Sequence, residues 1–386
     1  MIKVLLLDTN FSSAPIYNFL IKNNYEVFVI GNNTEDYLAK LCLNYYNLDY
    51  SDVKFVSEFI KKERIKYIIP GCNDFSYEIC SKLNLEDKYF GIESIGTNEI
   101  INSKELFRNF AIENGLPVPK TFEYNQLSNQ FPIIIKPVDS FSGKGVTIIN
   151  KKNNLKLTAA INLALENSKK GNYVIEEFVE GKLYSHSAFI SKQKIYKDFI
   201  VAESCVANPF AVDTSYVVTN FDTTILKKIQ VYICKIAKKL QLKDGLIHTQ
   251  FILNTNKLWI IEITRRCPGD LYSDLIELST GYPYAEEYTK YFININNTNS
   301  RKNKFYKRIV RHTLTSQIEH KLGFLEFSRS LHIKKFISIL RYGDNIKIAP
   351  RGRVSLLFIE SKNIKEFKQI LTNLLSRKLY KISNNI

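Results

Sequence analysis

The first 95 residues alternate short apolar runs with amphipathic ones, and this pattern limits the fold more than any other feature. Lys3–Leu7, residues 25–30 and Tyr67–Pro70 read as strands. Residues 13–23, with Ile16, Phe19 and Leu20 on one side, and residues 53–64 read as helices. Such alternation gives a parallel sheet with helices on its faces. Ligands of these sheets bind beyond the carboxyl ends of the strands. Here those ends read Asp8-Thr9-Asn10, Gly31-Asn32-Asn33 and Gly71-Cys72-Asn73-Asp74. Asp8, Asn10, Asn73 and Asp74 are therefore candidate substrate residues, although helix capping explains the same polar loops. None of the three contains G-x-G-x-x-G, which disfavours a dinucleotide site.

From Asn98 the texture changes. Ser103 caps a helix at Lys104–Glu113, which stops at Gly115 and the Pro117-Val118-Pro119 run. A β-rich stretch follows over residues 131–195, then a helix at 223–240 and two strands at 246–253 and 258–263. An Asn-rich connector over 294–303 marks a boundary. Beyond it, residues 311–316, 347–348 and 353–360 read as strands and Ile364–Leu375 as a closing helix.

Net charge divides at the same place. Residues 301–386 hold 20 basic and 5 acidic side chains, whereas the first 300 hold 34 and 33. The chain is a near-neutral body with a basic end, which raises nucleic acid or another anionic surface as a partner. The basic residues are spread and carry no signature of a nucleic-acid fold, so nucleic acid is not the expected partner. No uncharged apolar run approaches the roughly 18–20 residues needed to span a bilayer. The short apolar start meets Asp8 at once, as a buried strand does and a signal peptide does not. The six cysteines are scattered without a C-x-x-C pair, and reduced thiols in the cytoplasm are the plain expectation.

Three segments carry chemistry. In the first, the apolar run Ile133-Ile134-Ile135 ends on Lys136, and Ser140-Phe141-Ser142-Gly143-Lys144-Gly145 returns into a second strand. Glycines at 143 and 145 let backbone N–H groups approach phosphate oxygens, with Lys136 as a fixed cation. The spacing is not that of a P-loop, and an ordinary glycine hairpin is the competing reading. In the second, Val174-Ile175 runs into Glu176-Glu177-Phe178-Val179-Glu180-Gly181, whose edge suits an adenine ring. The third comprises Ile247-His248-Thr249-Gln250-Phe251 and Trp259-Ile260-Ile261-Glu262-Ile263-Thr264-Arg265-Arg266. Glu262 and Thr264 share a strand face. An acid followed by two arginines suits a Mg2+-nucleotide site, hard oxygen for the metal and guanidinium for phosphoryl charge. An ion pair of Glu262 with Arg265 or Arg266 is the plainer alternative.

In this order and spacing, the segments resemble the ATP-grasp superfamily of carboxylate–amine ligases, the group that includes biotin carboxylase and carbamoyl phosphate synthetase. The resemblance covers about residues 1–295. It implies an α/β fold with an N-terminal parallel pre-ATP-grasp domain over 1–95 and an ATP-grasp domain with antiparallel sheets over 96–295. The latter has a flexible small lobe at about 130–180, and a small basic α+β domain follows over 296–386. By position, Lys104 and Lys136 look like the phosphate-holding lysines, Ser142 to Gly145 like the closing loop, and Glu176 to Val179 like the hinge against adenine. Glu262 looks like the bridging metal carboxylate and Arg266 like the arginine that stabilises an acyl phosphate. Three positions depart from the pattern: Leu183 stands where a ribose-binding glutamate is common, Gln250 replaces an acidic metal ligand, and Thr264 replaces an asparagine. Asp270, Asp274 or the substrate could supply the missing charge.

The resemblance further implies ATP and Mg2+ as cofactors, with a small carboxylic acid and an amine as substrates. The reaction would form ADP, an acyl phosphate and then a C–N bond. Arg265 is the candidate for gripping the acceptor carboxylate, Asp8 or Asp74 for an ammonium group, and His248 for deprotonating the amine. The loop from Asn208 to Asp213 and Ser215 adds further substrate candidates. A homodimer is compatible with this reading. The competing readings are an ATP-binding protein without turnover and a binder of anionic surfaces through the basic end.

Overall fold

The computed structural model describes residues 1–127, 130–139, 143–255, 257–295, 303 and 305–384. Four strands, β1 (Lys3–Leu7), β2 (Glu26–Gly31), β3 (Asn44–Asn47) and β4 (Tyr67–Pro70), form a parallel sheet in the order β3-β2-β1-β4. Val4 to Leu7 are fully buried, so β1 hides both faces, as a central strand between helical layers must. The helices are α1 (Ala14–Lys22), α2 (Tyr37–Leu41), α3 (Val53–Glu63) and α4 (Asp74–Leu83). Asn73 caps α4 by accepting from the Ser76 amide, which starts the helix directly at the end of β4. At the neighbouring strand end, Asp8 accepts from Ser13 Oγ and from the Asn10 and Cys72 amides. A Cβ at Gly71 would lie 2.1 Å from that of Asp8, so glycine alone lets the two strand ends meet.

Helices α5 (Ile95–Asn102) and α6 (Lys104–Glu113) lead into the small lobe. There β5 (Ile133–Pro137) pairs antiparallel with both β6 (Thr147–Ile149) and β7 (Tyr173–Glu177). The stretch expected to be β-rich also contains a helix, α7 (Asn154–Glu166), which seats Leu157, Ala160 and Ala164 on Ile133, Ile135 and Ile175. Leucines also stand on its exposed side, Leu155 and Leu163 among them, which blurred its 3.6-residue period.

The largest sheet has the order β12-β11-β8-β9-β10-β13-β18-β16. Its members are β8 (Lys182–Ser191), β9 (Lys194–Ser204), β10 (Thr214–Val217), β11 (Gly245–Asn254), β12 (Lys257–Thr264), β13 (Arg308–Thr315), β16 (His332–Ser338) and β18 (Arg353–Ser361). Two short ladders stand beside it, β14 (His320–Lys321) with β17 (Asn345–Ile346), and β15 (Leu325–Phe327) with β19 (Tyr380–Ile382). The strand expected at 347–348 lies two residues earlier, as β17. Helix α8 (Thr223–Lys239) covers one face with Ile225, Ile229, Ile233 and Ile236, packed on Ala188, Ile190, Ile247 and Ile260. Burying each isoleucine contributes roughly 1.5–3 kcal/mol. The opposite face meets α9 (Tyr272–Thr280) and α10 (Tyr284–Lys290) through Phe189 and the tyrosine rings of 282 and 284.

Two boundaries differ from a reading as three separate units. One core runs unbroken from β1 to Phe189, Phe199 and Tyr288, so the N-terminal sheet and the body share their packing. Strand β13 pairs with β10 on one side and β18 on the other, so the main sheet continues across residue 295. The segment after 296 adds its own cover, α11 (Ile364–Leu375), whose Ile370 and Leu374 sit on Val310, Leu357 and Ile359.

Arg265 ties the halves together. It is 3% exposed, pairs with Glu93 at 3.0 Å, and donates to the carbonyls of Leu246 and Lys243. Removing one partner of a buried ion pair strands the other charge. Glu93→Ala is therefore expected to lower stability by about 3–5 kcal/mol in urea unfolding, and a change under 1 kcal/mol would show that this pair does not clamp the two halves.

Candidate active site

The small lobe joins the body at a buried carboxylate. Glu176 of β7 is wholly buried between Lys136 Nζ of β5, at 2.6 Å, and Arg108 Nε of α6, at 2.7 Å. Burial alone would raise its pKa, but the two cations and their hydrogen bonds hold it down at about 2. Arg108 also donates from Nη2 to the Ile261 carbonyl of β12, at 2.8 Å. Lys104 begins the same helix. Burial pushes its ammonium down, opposed by the nearby carboxylates of Glu262, Glu176 and Asp74 and aided by the charge of Lys136. Two lysines expected to hold phosphate thus share one charged cluster, and Glu176 positions one of them.

Glu262 reaches this pocket because β12 carries a bulge. Gln250 faces Glu262, yet the next residue of β11, Phe251, faces Ile260. The extra residue, Ile261, reverses the alternation. Ile260 packs beneath α8, while Glu262, two residues on, is exposed on the opposite face. The same bulge presents the Ile261 carbonyl to Arg108. Gln250 donates from Nε2 to Glu203 Oε2 of β9 at 2.7 Å. Glu203 is 8% exposed, and burial raises its carboxyl to about 7 against the pull of Ser185, Arg311 and Gln250.

A second charged group adjoins the first. Arg266 donates to Asp74 through Nε at 2.9 Å and Nη2 at 3.0 Å, a paired fork across the gap between the N-terminal sheet and the body. Burial opposes ionisation of Asp74, but Arg266 holds its carboxyl below the usual range. Thr264 Oγ1 donates to the same oxygen of Asp74 and accepts from the Arg266 amide. His248, on the same face, is buried edge-on to Tyr272. Burial, then Arg266, push its imidazole down to about 3. This burial against Tyr272 does not favour the proton-accepting role expected of it.

A third group lies under the C-terminal strands. Asp270 receives Arg353 Nη1 at 2.6 Å, and Arg311 Nη1 lies 3.4 Å from its other oxygen. Arg311 is 4% exposed, donates from Nη2 to Ser215 Oγ, and keeps a buried Nε with no hydrogen-bond partner among the described residues. Arg353 also lies over the Phe11 ring of the N-terminal domain.

Several side chains are placed otherwise than expected. Arg265 is spent on Glu93 and two carbonyls, so its guanidinium does not open to an acceptor carboxylate. Asp8 is buried among its own loop partners, Asn10 caps a short helical turn through the Ser12 amide, and Asn73 caps α4. Asp213 accepts from the Val206 and Ala207 amides and Thr214 Oγ1, which shapes the 205–213 loop. In the expected hinge, the Glu177 and Phe178 amides already donate to Lys120 and Pro132 carbonyls, and Val179 follows half-buried. Glu176 faces the lysine pocket and not an adenine edge. Ser142 lies outside the described residues. Gly143 and Gly145 have φ of +72° and +71°, and a Cβ at Gly143 would lie 2.4 Å from that of Phe210, so the glycine turn rests on the 205–213 loop, with Lys144 exposed beside it.

Sequence reasoning overlooked Arg108, Glu203, Arg311 and Arg353. Glu203 carried a usable signal, since it ends the apolar run Phe199-Ile200-Val201-Ala202 much as Glu262 follows Ile260-Ile261. Arg108 gave none, because an arginine on an amphipathic helix reads as a solvated residue.

The described residues contain no cluster of three His, Cys, Asp or Glu side chains able to cage a metal. What they offer is one exposed carboxylate, Glu262, beside the amide of Gln250. This set fits a hard cation held jointly with the phosphates of a nucleotide, the usual arrangement for Mg2+.

Comparison with known proteins follows the same line. Residues 129–274 match the family model of the ATP-grasp domain. The chain is 26% identical over 286 residues to D-alanine–D-alanine ligase of Fusobacterium nucleatum, covering 71% of this chain and 90% of that protein. It is 25% identical over 210 residues to phosphoribosylamine–glycine ligase of Pyrococcus furiosus, 50% of this chain and 47% of that protein. With the latter, and with a formate-dependent phosphoribosylglycinamide formyltransferase of Prochlorococcus marinus, the match spans about half of the relative's length. Among solved structures, the L-amino acid ligase of Bacillus licheniformis superposes with a TM-score of 0.80 at 14% identity, over 100% of this chain and 99% of that one. Phosphoribosylglycinamide synthetase of Anaerococcus prevotii gives 0.76 at 17%, over 99% of each. The two structural likenesses show the fold along the whole chain, and within it residues 129–274 are similar to the ATP-grasp domain.

Proposed function

We propose that the chain is an ADP-forming ligase that activates a substrate carboxylate as an acyl phosphate and joins it to an amine. The observation that carries this reading is the gathering of Glu262, Lys136, Glu176 and Asp74 around Lys104, beside the Asp74–Arg266 pair. The cofactors are ATP and Mg2+, those of the ATP-grasp domain, with Glu262 and Gln250 as the residues that would hold the cation. When bound, Mg2+ neutralises phosphate charge and orients the phosphoryl group.

The chain's own residues do the remaining tasks. Lys136 and Lys104 fix the phosphates, and the N–H groups of the glycine turn close over them. Phosphoryl transfer asks little covalent chemistry of a protein, so placement and charge stabilisation dominate. Arg266 presents its guanidinium where charge develops on the acyl phosphate and its tetrahedral successor, while Asp74 keeps that guanidinium in plane. The closed loop keeps water from the acyl phosphate. On the acceptor side, the partly exposed Arg353 offers a cation for a carboxylate, in the place first expected of Arg265. Thr264, tied to Asp74, acts as a brace for Arg266. The names of the relatives, which join amino acids or an amine with glycine, support a small carboxylic acid and an amine as substrates. No helix among the described residues is long and apolar enough to cross a membrane.

Phosphate release from purified protein with MgATP and paired amino acids, other small acids and amines identifies the substrates, and product mass identifies the bond. Once a pair is found, Glu262→Ala is expected to lower kcat at least 100-fold with little change in melting temperature, because that carboxylate is exposed. Turnover within fivefold of the parent would remove Glu262 from the site. For Arg266→Ala the loss should fall on kcat, by roughly 100- to 1000-fold, the usual effect of deleting a charge-stabilising donor. ATP affinity should stay within threefold, and an equal loss in ATP affinity would mean that Arg266 binds nucleotide.

A further inference from the structure

Gln250 poses a chemical problem that its neighbours resolve. If the preceding reading of the site holds, on which this inference rests, a cation lies beside Glu262 on β12 and Gln250 on β11. A side-chain amide has one good metal ligand, its oxygen; its NH2 group is a donor and repels a cation. The amide must therefore be held with a definite end forward.

Glu203 does this from two strands away. The sheet order is β12-β11-β8-β9, so Glu262 and Glu203 flank Gln250 on opposite sides. Gln250 Nε2 donates to Glu203 Oε2 at 2.7 Å, which commits the nitrogen towards β9 and turns Oε1 away from it, the side on which β12 and Glu262 lie. Glu203 is itself fixed. It is 8% exposed, hydrogen-bonded to Ser185, and close to the charge of Arg311. Ser185 in turn bonds to the buried Tyr272 hydroxyl at 3.1 Å. Ser185 faces Gln250 in the strand register and Leu183 faces Glu203, so the whole row stands on one face.

We infer that Glu203 is a positioning residue for the cation site, which acts through the amide of Gln250 by fixing its oxygen towards Glu262. Outer partners of this kind commonly change metal affinity by about 10- to 100-fold when removed.

The test uses the full chain with ADP and Mn2+ in place of Mg2+, with free Mn2+ read by its electron paramagnetic resonance signal and ADP affinity measured separately without metal. Glu203→Met removes the acceptor and is expected to weaken Mn2+ binding at least tenfold. Glu203→Gln keeps an acceptor oxygen at the same reach and should stay within threefold of the parent. Mn2+ affinity of Glu203→Met within twofold of the parent overturns the inference. So does a Glu203→Gln variant as weak as Glu203→Met, since the charge would then act on the cation directly. Should Glu203→Met not fold, Glu203→Asp replaces it: the shorter side chain withdraws the acceptor while keeping the charge, and an affinity at least threefold weaker supports the inference whereas an unchanged one overturns it. A parent protein that binds neither ADP nor Mn2+-ADP overturns the nucleotide reading itself; ADP binding with unaltered Mn2+ affinity in the variants overturns the positioning role alone.

Discussion

Three parts of the molecule depend on the carboxylate of Glu176. It is the meeting point of β5, β7 and α6, and through Arg108 it also reaches the Ile261 carbonyl of β12. Buried charges are costly in isolation, so none of the three side chains is stable there without the others. The group thereby fixes the small lobe against the body and sets the Lys136 ammonium in place, which makes fold stability and the position of that lysine one requirement.

The bulge at Ile261 performs a different task with a single residue. A regular strand would give Ile260 and Glu262 the same face, either exposing the isoleucine or burying the acid beneath α8. With one extra residue the strand does both jobs, closing the core at Ile260 and opening the cleft at Glu262. The carbonyl freed by this irregularity is the one that Arg108 takes.

Much of this was readable in advance, and the misses have physical causes. Lys136 and Glu262 stand where apolar strands meet polar residues, and β1, β4, α6 and α11 were legible from periodicity and caps. What periodicity cannot report is which distant side chains meet. Arg265 and Arg266 are adjacent in sequence and alike in type, yet one is buried against Glu93 and the other faces Asp74, because successive residues at a strand end point to opposite sides. Glu203 and Arg311 depend on strand order across the main sheet, which no local pattern encodes. Apolar residues on its exposed side concealed α7, and the bulge could not be seen without the register of β11.

The continuous sheet gives the basic C-terminal segment a meaning beyond its charge. Strand β13 covers the edge of β10, and its Arg311, together with Arg353 of β18 and Lys335 of β16, turns inward to Asp270 and Asp274. A chain ending at 295 would leave β10 as a bare edge, a template for pairing with other chains. It would also deprive Asp270 and Asp274 of the Arg311, Arg353 and Lys335 charges that pair with them. The last ninety residues are thus less an appendage than the other half of a hydrogen-bonded ladder, and the body completes its main sheet only with them.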